Sequence, residues 1–259
     1  MTHASVNASA ADAARAWISR EYQDERDQRI LLLLDCGRRM GARDNDPDQT
    51  PDRPELGMAP SGSGVPHTDH TGGSLSHFDH ALDALLLLAY VGLNHGDRVG
   101  LMTLGGPQRY LPAQHAGSTL NHILRETYDL QPTLQVSDFE RAAQQLLMHE
   151  RKRALVVLLT NLRDEDDQNL LAATRLLRAR HLVLVASLRE AALDQARHAA
   201  IGTPLEASHL AAASGYAQRR EASLRRLRAE GVLCLDVQPE KLAVESINRY
   251  LAIKAATML

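Results

Sequence analysis

The sequence predicts an α/β domain built on a mostly parallel sheet with helices on both faces. Three observations carry this. Residues 30–34 and 153–160 are dominated by consecutive aliphatic residues, as strands covered on both sides must be. Between such runs lie longer Leu- and Ala-rich stretches with helix start and stop signals. The two kinds of segment alternate from Ile30 to the C-terminus without an internal repeat, which demands right-handed crossovers between parallel strands.

Taken in order, residues 1–20 read as an N-terminal tail whose Ala-rich part, 10–19, suits a short helix. The domain proper is residues 21–259, entered through the charged run EYQDERDQR. Strand 30–34 closes on Asp35, Cys36 and Gly37. Residues 41–76 then turn to Asp, Pro, Gly, Ser and Thr, the composition of a flexible polar insertion. A helix over 77–93 stops at Asn94-His95-Gly96, and its wide apolar face predicts deep burial. Strand 98–104 turns at Gly105-Gly106-Pro107 into an antiparallel edge segment, 108–111. Helices follow over 118–128 and 137–149, the second started by Ser137 with Asp138 and Glu140 at its positive end. After strand 153–160, the acidic run 164–167 opens a helix to about Arg180, and 181–187 is the next strand. A long helix over 205–230 is stopped by Gly231, 232–237 is the last strand, and Pro239 opens a terminal helix through about Ala255.

Composition narrows the function. The chain has 259 residues, 44% hydrophobic, with a formal net charge of -3, so no basic field invites nucleic acid. Aromatics at 3% argue against base-stacking surfaces. Cys36 and Cys234 lie far apart in apolar contexts and read as free, buried thiols of a reducing compartment. The N-terminus lacks the order of a signal peptide, and the longest apolar run, 84–93, is too short for a bilayer. A cytoplasmic protein without membrane contact is the expectation.

Ligands of an open parallel sheet meet the carboxyl ends of its strands. Here those ends carry Asp35-Cys36-Gly37-Arg38-Arg39 and Thr160-Asn161-Leu162-Arg163-Asp164, with the loop before Ser137 facing the same crevice. DCGRRM after a Leu-rich strand resembles the first loop of a von Willebrand factor A domain, whose metal-ion-dependent adhesion site begins Asp-x-Ser-x-Ser. More narrowly, four blocks in order resemble the bacterial domain of unknown function 58 family. They are EYQDERDQRILLLLDCGRRM, FDHALDALLLLAYVGLNHGDRVGLMTL, RALVVLLTNLRDED and VLCLDVQPEKLAVESINRYLAIK, spanning Glu21 to the C-terminus. The segment Asn7-Ala8-Ser9-Ala10 is similar to the end of the family's signature segment, and longer relatives often carry membrane helices and another domain upstream. The resemblance implies a six-stranded Rossmann-like sheet and a context beside MoxR-type AAA+ ATPases, for which such proteins are thought to serve as adaptors or chaperone partners.

The departures from that pattern matter equally. Gly37 and Arg39 stand where the metal loop has serines, Ser137 where the second loop has threonine, and Asn161 where an aspartate follows Thr160. A divalent ion wants a compact shell of hard oxygens, and a permanent guanidinium charge close by opposes it. The degenerate site at Asp35, Gly37, Arg39, Ser137 and Asn161 therefore reads as one that holds no metal, with Arg39 pairing with Asp35 in place of the ion. The set His67-Thr68-Asp69-His70 and His77-Phe78-Asp79-His80 could bind zinc, but the first half lies in the insertion and a helix start explains Asp79. Cys36 has no neighbouring histidine, Gly37 replaces the second aspartate of an aspartyl phosphatase, and no Gly-rich loop with lysine is present. Arg219, Arg220, Arg225, Arg226 and Arg228 read as a solvated helix face, with docking of an acidic partner surface as the alternative. The expectation is a non-enzymatic adaptor without cofactor that contacts a MoxR-type ATPase or its client through Asp35, Arg38, Arg39, Asn161, Arg163 and Asp164. A metal-dependent adhesion module and a metal-dependent hydrolase built on the histidines are the alternatives.

Overall fold

Seven consecutive residues, Arg29–Asp35, form strand β1, and its alternating side chains feed two separate cores. Ile30, Leu32 and Leu34 point to one face, Leu31 and Leu33 to the other, and all five are at most 2% exposed. That is the burial a central parallel strand requires. The computed structural model describes residues 28–43, 75–190, 202–256 and 258. The expected tail 1–20, its helix 10–19 and most of the insertion, 44–74, lie outside the described residues.

The other strands are β2 (Arg98–Leu104), β3 (Tyr110–Gln114), β4 (Leu155–Thr160), β5 (Leu182–Leu188) and β6 (Leu233–Val237). They form one six-stranded sheet in the order β3-β2-β1-β4-β5-β6, with only β3 antiparallel to its neighbour. Helices α1 (His77–Asn94), α2 (Thr119–Thr127) and α6 (Leu242–Ala255) cover the face holding Leu32, through Phe78, Leu85, Leu88, Ile123, Tyr250 and Ile253. Helices α3 (Phe139–His149), α4 (Asp167–Arg178) and α5 (Pro204–Ala229) cover the other, through Phe139, Leu146, Leu170, Leu177, Leu224 and Leu227. The architecture is a Rossmann-like α/β sandwich, as the alternation predicts. Among the described residues no helix is long and apolar enough to cross a membrane.

Several local expectations need correction. The edge strand starts two residues later than 108–111 implies, because Thr103 ties up the turn: its Oγ1 donates to Pro107 O (2.5 Å) and accepts from Arg109 N (2.9 Å). Helix α1 is not buried all round; Leu87 and Tyr90 are about half exposed, since only one face meets the sheet and α6. Helix α3 starts at Phe139 with Asp138 as its cap, leaving Ser137 outside. Cys36 is buried but Cys234 only partly so. The insertion is also pinned at both ends. Arg43 bridges Ser76 in antiparallel fashion, His77 N donates to Ala42 O (2.8 Å), and Ser76 forms a reciprocal capping box with Asp79. Residues 41–43 and 75–76 are therefore part of the folded frame, not of the insertion.

Candidate functional site

Strand order reverses between β1 and β4, so the crevice at their carboxyl ends is where a ligand belongs. Asp35 ends β1 there, 3% exposed. Thr160, the last residue of β4, donates its hydroxyl to Asp35 Oδ2 (2.6 Å). Gly37 N donates to Oδ1 (2.8 Å), and the Ser137 hydroxyl donates to the same oxygen. Burial pushes the Asp35 pKa upward, and these three hydrogen bonds with the nearby Arg39 charge offset part of that push.

The connector from α2 to α3 delivers Ser137 by lying across the sheet rim. Thr133 N donates to Cys36 O (2.7 Å), and Arg38 N donates to Gln135 O (2.9 Å). The approach is so close that glycine is required on the facing turn. Gly105 has φ +72°, and a Cβ there would sit 2.7 Å from Gly37 N and against the Ser137 hydroxyl.

The expected pairing of Arg39 with Asp35 does not form. Both oxygens of Asp35 are already filled by neutral donors, and the guanidinium turns instead to the 3-10 turn Asp164–Asp166. Arg39 pairs with Glu165 at 2.7 Å and with Asp166, while Arg38 reaches the same Glu165 oxygen at 3.3 Å. Burial lowers the Arg39 pKa, and the Glu165 charge works against that. Asp164 opens this turn; its side chain lies outside the described residues.

Asn161 and Arg163 belong to a neighbouring cluster, so the six expected contact residues do not form a single set. Asn161, 1% exposed, donates from Nδ2 to His77 Nδ1 (3.0 Å) and Glu190 Oε1 (3.3 Å). Arg163 pairs with Glu190 and lies 5.6 Å over the Tyr216 ring. Glu165, Asp166 and Glu190 escape sequence reasoning: the first two read as helix-opening acids, and nothing local marks the third. Thr160 was legible only as a strand end.

Arg220 is the largest surprise. Expected on a solvated face, it is 5% exposed. Its Nη2 donates to Ser187 Oγ (2.6 Å), Leu188 O (2.6 Å) and Asp236 Oδ1 (2.7 Å), and its Nη1 donates to Leu162 O. Ser187 Oγ also accepts from Leu162 N (3.1 Å). The guanidinium thus fastens the segment after β4, and with it Asn161 and Arg163, to β5 and β6.

The residues present do not fit a divalent cation. Gly37 offers no side-chain ligand, and Arg39 brings a permanent positive charge to the crevice beside Asp35. The crevice bounded by Asp35, Arg38, Arg39, Val136, Ser137 and Asp166 measures about 10 Å³, room for one water at most. Among the described residues no three His, Cys, Asp or Glu side chains converge as metal ligands. Of the histidine motif, His67, Asp69 and His70 lie outside the described residues, Asp79 is spent on the capping box, and His77 is buried against Asn161. Burial pushes the Cys36 thiol up to about 12, which leaves it protonated and inert as a nucleophile.

Among curated proteins none matches the chain. Of solved structures, the SpRpn10 VWA domain is similar at 14% identity and a TM-score of 0.44, over 86% of this chain and 94% of that one. An aerotolerance-related membrane protein from Bacteroides fragilis NCTC 9343, carrying multiple mutations to serines, is similar at 15% identity and a TM-score of 0.38, over 62% and 67%. One family model matches residues 65–230, a span that takes in two of the four sequence blocks, the connector bearing Ser137, the turn Asp164–Asp166 and Arg220. With more than half of its length so matched, the chain belongs to the family described as "Protein of unknown function DUF58".

Proposed function

We propose that this protein is a non-enzymatic adaptor that binds a partner protein at the β1–β4 rim, and that the partner is a MoxR-type AAA+ ATPase or its client. One observation carries the reading. Asp35, the residue from which a von Willebrand factor A domain would hang its ion, gives both oxygens to Gly37, Ser137 and Thr160, while Arg38 and Arg39 line the same crevice and pair with Glu165. Neutral donors thus occupy the carboxylate, and the arginines beside it are left to recognise an acid, since arginine forks make strong, directional hydrogen bonds to carboxylates. The inert Cys36 thiol fits a binding role better than a catalytic one. This reading sets the protein in the cytoplasm beside its ATPase.

The test is capture of a purified MoxR-type ATPase by the immobilised chain, with Arg38→Ala and Arg39→Ser compared with wild type. Binding that drops by about tenfold in the double variant is the expected result. No binding by wild type would count against the adaptor. Calorimetry with Mg²⁺ and Mn²⁺ runs alongside; tight binding abolished by Asp35→Asn would replace this reading with a metal-dependent adhesion module.

A further inference from the structure

We infer that Glu165 is a built-in competitor for the partner, and that what it competes with is an acidic peptide segment. This rests on the adaptor reading and assigns its partner a chemistry. One carboxylate oxygen, Glu165 Oε2, sits between two guanidinium groups, 2.7 Å from Arg39 and 3.3 Å from Arg38. Two arginines converging on one carboxylate oxygen form a recognition site for an acid, and in this state the chain's own acid fills it.

The two sides of the contact are held unequally. Arg39 is fixed: its side chain is 12% exposed and its other terminal nitrogen pairs with Asp166. Glu165 is loosely held, its side chain 65% exposed, and Arg38 is 49% exposed. An exposed ion pair of this kind contributes little to stability, so an incoming carboxylate displaces it at small cost. Asp166 stays behind and keeps the Arg39 fork aimed at the rim.

The ground beside the pair suits a peptide that is apolar next to its acid. Leu134 and Val136, on the connector over the crevice, are 95% and 61% exposed. Val136 is shared between the arginine crevice and a groove of about 120 Å³, which runs past Gly106, Gln108 and Gln145. A segment with its carboxylate on Arg38 and Arg39 would lay the adjacent side chain on Val136 and continue into that groove. The charge of the arginine pair selects the acid; the exposed Leu134 and Val136 select its neighbour.

The experiment is fluorescence anisotropy of the full chain with a fluorescein-labelled octapeptide alternating glutamate and leucine, against the same peptide with glutamine for glutamate. Glu165→Gln keeps the shape and removes the competing charge, so it binds the acidic peptide about fivefold more tightly than wild type. Arg38→Ala added to it abolishes the gain, and the glutamine peptide binds about tenfold more weakly than the acidic one. Equal affinity of wild type and Glu165→Gln, or of the two peptides, overturns the inference. ATPase capture separates the two levels. If capture persists while Glu165→Gln changes nothing, the competitor is wrong and the adaptor stands. If capture fails, the adaptor is wrong, and the peptide comparison still decides what Glu165 does.

Discussion

Replacing Arg220 by methionine keeps much of the volume and removes the charge, so it isolates what the guanidinium contributes. The side chain is 5% exposed and donates to Leu162 O, Leu188 O, Ser187 Oγ and Asp236 Oδ1. Its loss strands two main-chain carbonyls in the interior and leaves Asp236, whose side chain is 14% exposed, without its counter-ion. Breaking one side of a buried pair costs about 3–5 kcal/mol. Partial hydration of Asp236 favours the lower end, so about 3 kcal/mol is expected, a fall in Tm of roughly 6–12 °C for a domain of this size. Urea denaturation followed by circular dichroism measures it, with an unchanged slope showing that the native and unfolded ensembles are otherwise alike. The double variant Arg220→Met/Asp236→Asn should recover at least about 1 kcal/mol, because it removes the orphaned charge. Arg225, exposed on the same helix, is the control, and its methionine variant should stay within about 0.5 kcal/mol of wild type. A loss below about 1 kcal/mol for Arg220→Met would mean that the guanidinium does not hold the β4 segment, and the reasoning about that segment would fall.

Three further outcomes follow from the geometry. Burial raises the Asp35 pKa above 3.8, so ionising this carboxylate costs the folded state, and its stabilising contribution is lost as pH rises through the folded pKa. Asp35→Asn should therefore gain on wild type with rising pH above 3.8, by up to about 1.4 kcal/mol per pH unit across that window; a difference of opposite slope in paired urea melts would refute it. Gly105→Ala, at φ +72° and 2.7 Å from Gly37 N, should lose roughly 2–3 kcal/mol, whereas Gly96→Ala, at φ +82° with open space around it, should lose about 1; equal thermal shifts would deny the close approach. Tyr250→Phe removes the hydroxyl that donates to buried Asp97, which keeps Lys254 at 2.9 Å, so a loss of about 1.5 kcal/mol is expected in the same melts, and no loss would show the bond to be idle.

The elements were legible because their signals are local. The four leucines of β1, the Ser76–Asp79 capping box and the positive-φ Gly96 after α1 each declare themselves within a few residues. Burial on both faces follows from such runs, and the alternation of strand and helix dictates the parallel sheet. Where the local signal is ambiguous the reading slips. Acids at 164–167 suit a helix start, which α4 supplies, yet Glu165 and Asp166 serve as partners of Arg39. A run of arginines suits a solvated face, yet one of its members, Arg220, points inward.

The chain order alone thus determined the class of fold, the strand ends that form the rim, and the presence of Asp35, Arg38 and Arg39 there. Which acid each arginine chooses was decided only by the tertiary structure. Asp35 takes its hydroxyl donors from 102 and 125 residues away, and Arg39 passes over the nearby carboxylate for one 126 residues distant. Periodicity and capping act over a turn of helix or a pair of strands, whereas charge pairs form between whichever groups the finished packing brings within about 4 Å. That distance is fixed by the closing of the sheet and by the connector laid across it, and neither is written near the residues it brings together.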